Sequence, residues 1–458
     1  MTVVPPSPPP PGAAAPRGGS AAGLKARIAD LVDADGAHLT AVGDDVFAHP
    51  ELAFREFRTA DLVARELRAL GLTVEEGLAQ TGVRAILAGS RPGPRICVLA
   101  ELDAVRVPDH PAADPVTGAA HACGHNAQVA HLVGVARALV AAEAAGQLRG
   151  EVLFFAVPAE EYVDIDWSGA ARAAGRIEFA GGKQELVRLG HFDGVRLAMM
   201  VHAHADSAPL GLTWSHTGFL AKRARFLGRA THAAAAPEHG VNALGAATVA
   251  LHAIDAQRET FADRDHIRVH PVLRPAGTAL NVVADEVVVD MLIRGGSGDA
   301  IAAAEVRVDR SLRAGALALG AAVELTTLPG YLPLVVDRTL GELFRRNAVD
   351  LLGAAGWSEG PWSTASTDAG DLSHLMPVLH PTHGGCAGAN HSAGFRIVDP
   401  WLAYVQPAKA LAWTVVDLLY GDARVARELL AGHRPRLTRD RYLELMRATA
   451  RQETYRQA

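Results

Sequence analysis

Two apolar runs constrain this chain more than any other feature. PRICVLAELDAV, from Pro94, and EVLFFAVPAEE, from Glu151, each carry an unbroken apolar stretch that ends in carboxylates. A strand with one wet face alternates apolar and polar residues, so a continuous run requires cover on both faces. Between the two, VAHLVGVARALVAAEAAG has the length and spacing of a helix with a broad apolar face. Strand, helix and strand in this order predict a wound α/β layer. In such sheets ligands bind beyond the carboxyl ends of the strands. Asp103, Glu160 and Glu161 fall there, and HACGHNAQVAH, residues 121–131, lies between them.

The chain changes character after this layer. From about Thr217 to Tyr331 the order is strand (GFLAKRARFLG), helix (NALGAATVALHAIDAQ), two strands (HIRVHPVLRP and ALNVVADEVVVDMLIRG), helix (AIAAAEVRVDRSLRAGALALG) and strand (AVELTTLPG). This is the β-α-β-β-α-β order of a ferredoxin-like α+β unit. The expected organisation is therefore a discontinuous α/β domain, residues 24–216 and 332–458, interrupted by a compact domain over 217–331. Residues 24–75 read as helix, turn and helix, with Thr59 as the cap of TADLVARELRALG. The stretch from Asp422 reads as charged, solvated surface helix.

Composition excludes several classes. The 458 residues include 49% apolar types and carry a formal charge of −6, an ordinary globular profile without the basic surface that nucleic acid or an anionic membrane selects. Cys97, Cys123 and Cys386 are too few and too scattered for a disulfide framework, which points to a reducing, cytoplasmic setting. No apolar run approaches the roughly 20 residues of a membrane span. Residues 1–23, rich in proline and small residues, lack the basic and apolar regions of a secretory signal and read as a disordered tail.

The chemistry concentrates in the polar clusters. Of the 20 histidines, eight bunch at 121/125/131, 202/204, 380/383 and 391. Cys123 sits between His121 and His125 and allows four readings. A nucleophile needs a histidine base, which His121 or His125 can supply. A redox pair needs a second cysteine nearby in sequence, and none is there. A structural zinc site needs four Cys or His ligands at finger-like spacing, which are also missing. A catalytic metal site needs thiolate, imidazole and carboxylate donors from separate strand ends, as this chain offers. Glu160 and Glu161, adjacent at a strand end, can divide the work of proton acceptor and ligand.

Eight segments, in order, resemble a known family. They are HPELAFREFRTA (49–60), ELDAV (101–105), HACGHN (121–126), VPAEE (157–161), FDGVRLAMMVH (192–202), THAAAAPEHGVNAL (231–244), STDAGDLSHLMP and NHSAGF. Together they are similar to the co-catalytic metallopeptidase family that contains aminoacylases, auxin-conjugate hydrolases, carboxypeptidases and aminobenzoyl-glutamate hydrolases. The glutamate of ELDAV and the asparagine of CGHN lean toward the aminobenzoyl-glutamate and dipeptidase-like branch.

The resemblance implies a role for each matching residue. Cys123, His125, Glu161, His202 and His391 match the metal ligands, and Glu160 matches the general base. His232 matches a histidine that stabilises the oxyanion in the neighbouring subunit, which makes the inserted domain a lid and the expected homodimer contact. Asn281 matches a substrate-contacting lid residue, and Asp103 an acid behind the metals. Two divalent ions follow, zinc first, with manganese or cobalt also suited to these donors. The expected activity is amide hydrolysis of an N-acyl amino acid, a dipeptide or an aminobenzoyl-glutamate-like compound. A noncatalytic binding relative and a cysteine hydrolase are the alternatives. His204, His374 and His383 are further candidates for the site. Residues 162–180 follow the paired glutamates where many relatives turn directly into a helix, so they either shape the pocket or form a surface insertion.

Overall fold

The computed structural model describes residues 20–162, 164–205, 208–274 and 279–456, and residues 1–19 of the proline-rich stretch lie outside them. The rest of that stretch is not tail. Ser20 caps the helix Ala21–Ala34 by accepting from the Gly23 N–H, and Leu24, Ile28 and Val32 bury one face of it. Two further helices, Gly36–Ala48 and Phe57–Ala69, come before the first strand, one more than the sequence suggested. Thr59 is not a cap, because the helix begins two residues before it. The Glu51 carboxylate reaches over instead, accepting from the N–H groups of Arg58 (3.0 Å) and Thr59 (2.8 Å) and from the Thr59 hydroxyl (2.9 Å).

The α/β body is built on a six-stranded sheet. Its order is Val74–Leu78, Gly82–Ala88, Arg149–Val157, Arg91–Glu101, Val195–Met199, Val378–Leu379. The two apolar runs form the parallel centre, with Cys97 opposite Leu153, and both are fully covered from Ile96 to Ala100 and from Val152 to Val157. The helix His125–Ala141 lies against the Arg91–Glu101 strand and packs on the helices Ala21–Ala34 and Gln406–Leu419. This cover on both faces explains why the central strands carry no polar alternation.

The inserted unit has its six elements in the expected order: Gly218–Leu227, Ala243–Ala256, Arg268–Leu273, Glu286–Gly295, Gly298–Leu319 and Ala322–Pro329. Its third strand starts at Glu286, later than the run ALNVV suggested. The two helices pack closely at Gly315, where a Cβ would stand 2.4 Å from the Ala246 carbonyl oxygen. The sheet is antiparallel and carries a fifth strand from far away in sequence. Arg451–Tyr455 pairs with Ala322–Pro329, Tyr455 opposite Val323 and Arg451 opposite Thr327. The stretch from Asp422 is helical over Arg424–Gly432 and Arg439–Thr449, as expected, and only Arg451–Tyr455 departs from that reading, by joining the sheet of the inserted unit. Arg451 pairs with Glu305 at 2.7 Å and Glu453 with Arg313, so a charged segment finds its partners on the inserted unit.

Residues 162–180 bridge the two parts. Their helix Ile165–Ala173 is capped by Asp164, and Trp167 stacks on Phe54 of the body with centroids 5.7 Å apart. Asp166 pairs with Arg223 (2.7 Å) and Arg274 (3.4 Å) of the inserted unit.

Candidate metal centre and active site

Strand ends and one tight turn assemble the site. The Arg91–Glu101 strand delivers Glu101 and Asp103, and the Arg149–Val157 strand delivers Glu160 and Glu161. Ala159 takes a left-handed φ of 53°, a strained bend for alanine that turns the chain just before the two glutamates. Asp103, wholly buried, fastens that bend by accepting from the Glu160 and Glu161 N–H groups at 3.1 and 2.8 Å. Cys123 and His125 flank Gly124, the left-handed N-cap of their helix (φ 84°). A Cβ on Gly124 would stand 2.3 Å from that of Ala203, so the turn requires glycine twice over.

Cys123 is the hub. Its Sγ lies 3.1 Å from His391 Nε2 and 3.5 Å from His202 Nε2. Its donor atom belongs to two compact groups, one with His125 and His202 and the other with Glu161 and His391. His125 Nδ1 donates to the Asp103 carbonyl at 2.8 Å and His202 Nδ1 to the Ala203 carbonyl at 2.9 Å, which turns each Nε2 into the donor cluster. Buried His125 Nε2 and Glu161 Oε1 face only ionisable groups of the same cluster, Glu101 Oε2 and His391 Nε2, each at 3.1 Å. Two divalent ions sharing the thiolate would satisfy both, so the donors fit the expected metals.

The electrostatics agree with this fit. Burial opposes ionisation of the Cys123 thiol, but His202 and His391 outweigh it and hold the thiol well below its ordinary range. Burial, reinforced by Glu101 and Glu161, pushes the Glu160 carboxyl well above the usual carboxylate range. Burial also raises Glu161 to about 7, with His391 pulling the other way.

A cavity of about 620 Å³ opens beside these donors, and Glu160, Glu161, His202 and His391 line it. Its far wall holds side chains that sequence reasoning missed. Arg294, at the end of an inserted-unit strand, donates to Ser366 Oγ at 2.6 Å and lies over the Phe219 ring, yet forms no ion pair among the described residues. Tyr331 also lines this wall, with its hydroxyl on the Glu160 carbonyl. Glu101 stands 3.1 Å from His125 Nε2. An arginine closing a buried strand, and a second acid in ELDAV, were the available signals.

The other candidates are placed as follows. His204 lines the cavity but joins no donor group, and its N–H donates to the His383 carbonyl. His383 and His131 face each other, 5.1 Å between centroids, away from the cavity lining. His374 donates to the Pro333 carbonyl, and His121 is buried outside the donor groups. His232 and Asn281 are both exposed on the inserted unit, joined through Ala233 N–H to the Asn281 carbonyl, and neither lines the cavity of its own chain. Among the described residues of 162–180, Tyr162 alone reaches the cavity lining.

A family profile described as peptidase family M20/M25/M40 matches residues 97–401, well over half the chain. The chain belongs to that family. The resemblance drawn from the eight segments therefore holds, and this M20 chain is a hydrolase of amide bonds. It is 28% identical to the Xaa-Arg dipeptidase of Mus musculus over 87% of its own length and 90% of that relative. It is also 28% identical to the N-acyl-L-amino acid amidohydrolase of Geobacillus stearothermophilus, over 59% of the chain and 70% of the relative. A putative aminohydrolase from methicillin-resistant Staphylococcus aureus shares the M20 fold, with a TM-score of 0.68 at 20% identity over 86% of this chain and 99% of that one. No helix among the described residues of this family member is long and apolar enough to cross a membrane.

Proposed function

We propose that the chain is a two-metal amidohydrolase that cleaves an N-acyl amino acid, a dipeptide or an aminobenzoyl-glutamate-like amide, and that it works as a cytoplasmic homodimer. The observation that carries this reading is the sharing of Cys123 between two donor groups at the edge of one cavity. Cys123, His125 and His202 would hold one ion, and Cys123, Glu161 and His391 the other. Thiolate, imidazole and carboxylate together favour zinc, with manganese or cobalt as substitutes. When bound, such ions polarise an amide carbonyl and lower the pKa of a coordinated water.

The chain's own residues do the rest. Glu160 takes a proton from the attacking water on a carboxylate oxygen and returns it to the amide nitrogen as the C–N bond breaks. Arg294, a half-buried cation that forms no ion pair among the described residues, receives the free carboxylate that all three substrate classes carry. Asp103 keeps the paired glutamates and His125 in register. His232 and Asn281, exposed on the inserted unit, serve the cavity of a partner chain, where His232 donates toward the developing oxyanion. An interaction of that kind contributes about 2.7–4 kcal/mol to the barrier.

Two measurements test the reading. Protein stripped by a chelator and titrated with zinc, manganese or cobalt should take up two ions per chain and regain hydrolysis of N-acetyl amino acids, dipeptides or aminobenzoyl-glutamate. Full activity without metal overturns it. Arg294→Ala should raise KM about 10- to 100-fold for substrates with a free carboxylate, the range a charge-assisted hydrogen bond commands. Substrates capped as the carboxamide should change little, and an equal loss on both would remove the carboxylate role.

A further inference from the structure

Glu101 ends the central strand wholly buried, and its carboxylate is held from two sides. Gln128 accepts from the Glu101 N–H at 3.0 Å and donates to Oε2 at 2.7 Å. Lys183, also wholly buried, donates to Oε1 at 2.6 Å. The same ammonium binds the Asp368 side chain, whose other oxygen accepts from the Lys183 N–H at 2.9 Å. One buried cation between two buried carboxylates leaves a net negative charge. Such triads add little stability over well-packed apolar side chains. The fold alone therefore gives no reason for three ionised groups at this depth.

The remaining side of Glu101 faces the metal centre. Oε2 lies 3.1 Å from His125 Nε2. Glu101, His125 and Glu160 form a third compact group of donors beside the two that share Cys123. A thiolate divided between two ions gives each less than a full negative charge. The position formed by Cys123, His125 and His202 has no carboxylate of its own, whereas the other has Glu161.

We propose that Glu101, fixed by Lys183 and Gln128, is a positioning residue for the ion held by Cys123, His125 and His202, its carboxylate supplying beside the His125 nitrogen the negative charge which that position otherwise lacks. The inference rests on the two-metal reading. Its test is a zinc titration of the stripped protein against a competing chelator, with ions counted per chain. Glu101→Gln should weaken one of the two ions about 10- to 100-fold, the usual cost of losing an outer partner, and leave the other unchanged. Asp368→Asn removes the second carboxylate from the same ammonium at the same depth, so it controls for structural damage. It should keep both affinities. Equal losses in the two variants, or unchanged binding in Glu101→Gln, overturns the proposal. If Glu101→Gln does not fold, Glu101→Asp keeps the charge but withdraws it from His125, and it should weaken the same ion by a smaller factor; unchanged binding there overturns the proposal as well. A wild-type protein that takes up no zinc defeats the two-metal reading instead, which is a different outcome from two ions bound indifferently to Glu101.

Discussion

Glu160→Gln is expected to lower kcat by about 10²- to 10⁴-fold, the contribution of a positioned general base, while both ions stay bound. The side chain lines the cavity and lies outside the two donor groups that share Cys123. Its Oε2 is 3.8 Å from His125 Nε2, close to the donors without belonging to either of those groups. Its backbone is clamped by Asp103 on the N–H side and by the Tyr331 hydroxyl on the carbonyl side. Glutamine fills the same volume and leaves that clamp intact, but it cannot take a proton from water. Steady-state turnover with metal content measured on the same sample checks the prediction. Unchanged turnover at full occupancy removes Glu160 from the role.

Cys123→Ala is expected to abolish measurable hydrolysis through loss of metal. The thiolate is the one donor that both groups share, so its removal weakens two positions at once. The loss in affinity should exceed the about 10- to 100-fold that follows removal of an outer partner. A cysteine nucleophile predicts a different pattern: hydrolysis lost with both ions retained, and inactivation by thiol alkylation in metal-free protein. Metal content and activity measured together in this variant separate the two readings.

Much of the fold was legible because its signals are local. The central strands announce themselves by unbroken apolar runs, and the inserted unit by an order of periods that switches between two and 3.6 residues. The five residues that match ligands lie in short motifs: Glu161 follows a strand end, His202 lies on a short strand, Cys123 and His125 flank a helix N-cap, and His391 sits in a turn. What stayed hidden depends on pairing across long stretches of chain. Lys183 meets Glu101 across 82 residues and Asp368 across 185. No local pattern marks a lysine in GGK as the centre of a buried cluster. Arg451–Tyr455 is short and charged, so it reads as surface until the acids of another element are brought beside it. Glu51 likewise serves a helix whose own sequence offered Thr59 for the task.

The fifth strand of the inserted unit also sets an order of assembly. The other four strands of the sheet are complete by Pro329, but the Ala322–Pro329 edge finds its partner only when Arg451–Tyr455, which follows the helix Arg439–Thr449, has been synthesised. During that interval the edge presents unpaired N–H and C=O groups, the kind of surface on which chains pair with the wrong partner. The sheet of the unit that carries His232 and Asn281 is therefore completed last, by a segment that follows the body in sequence.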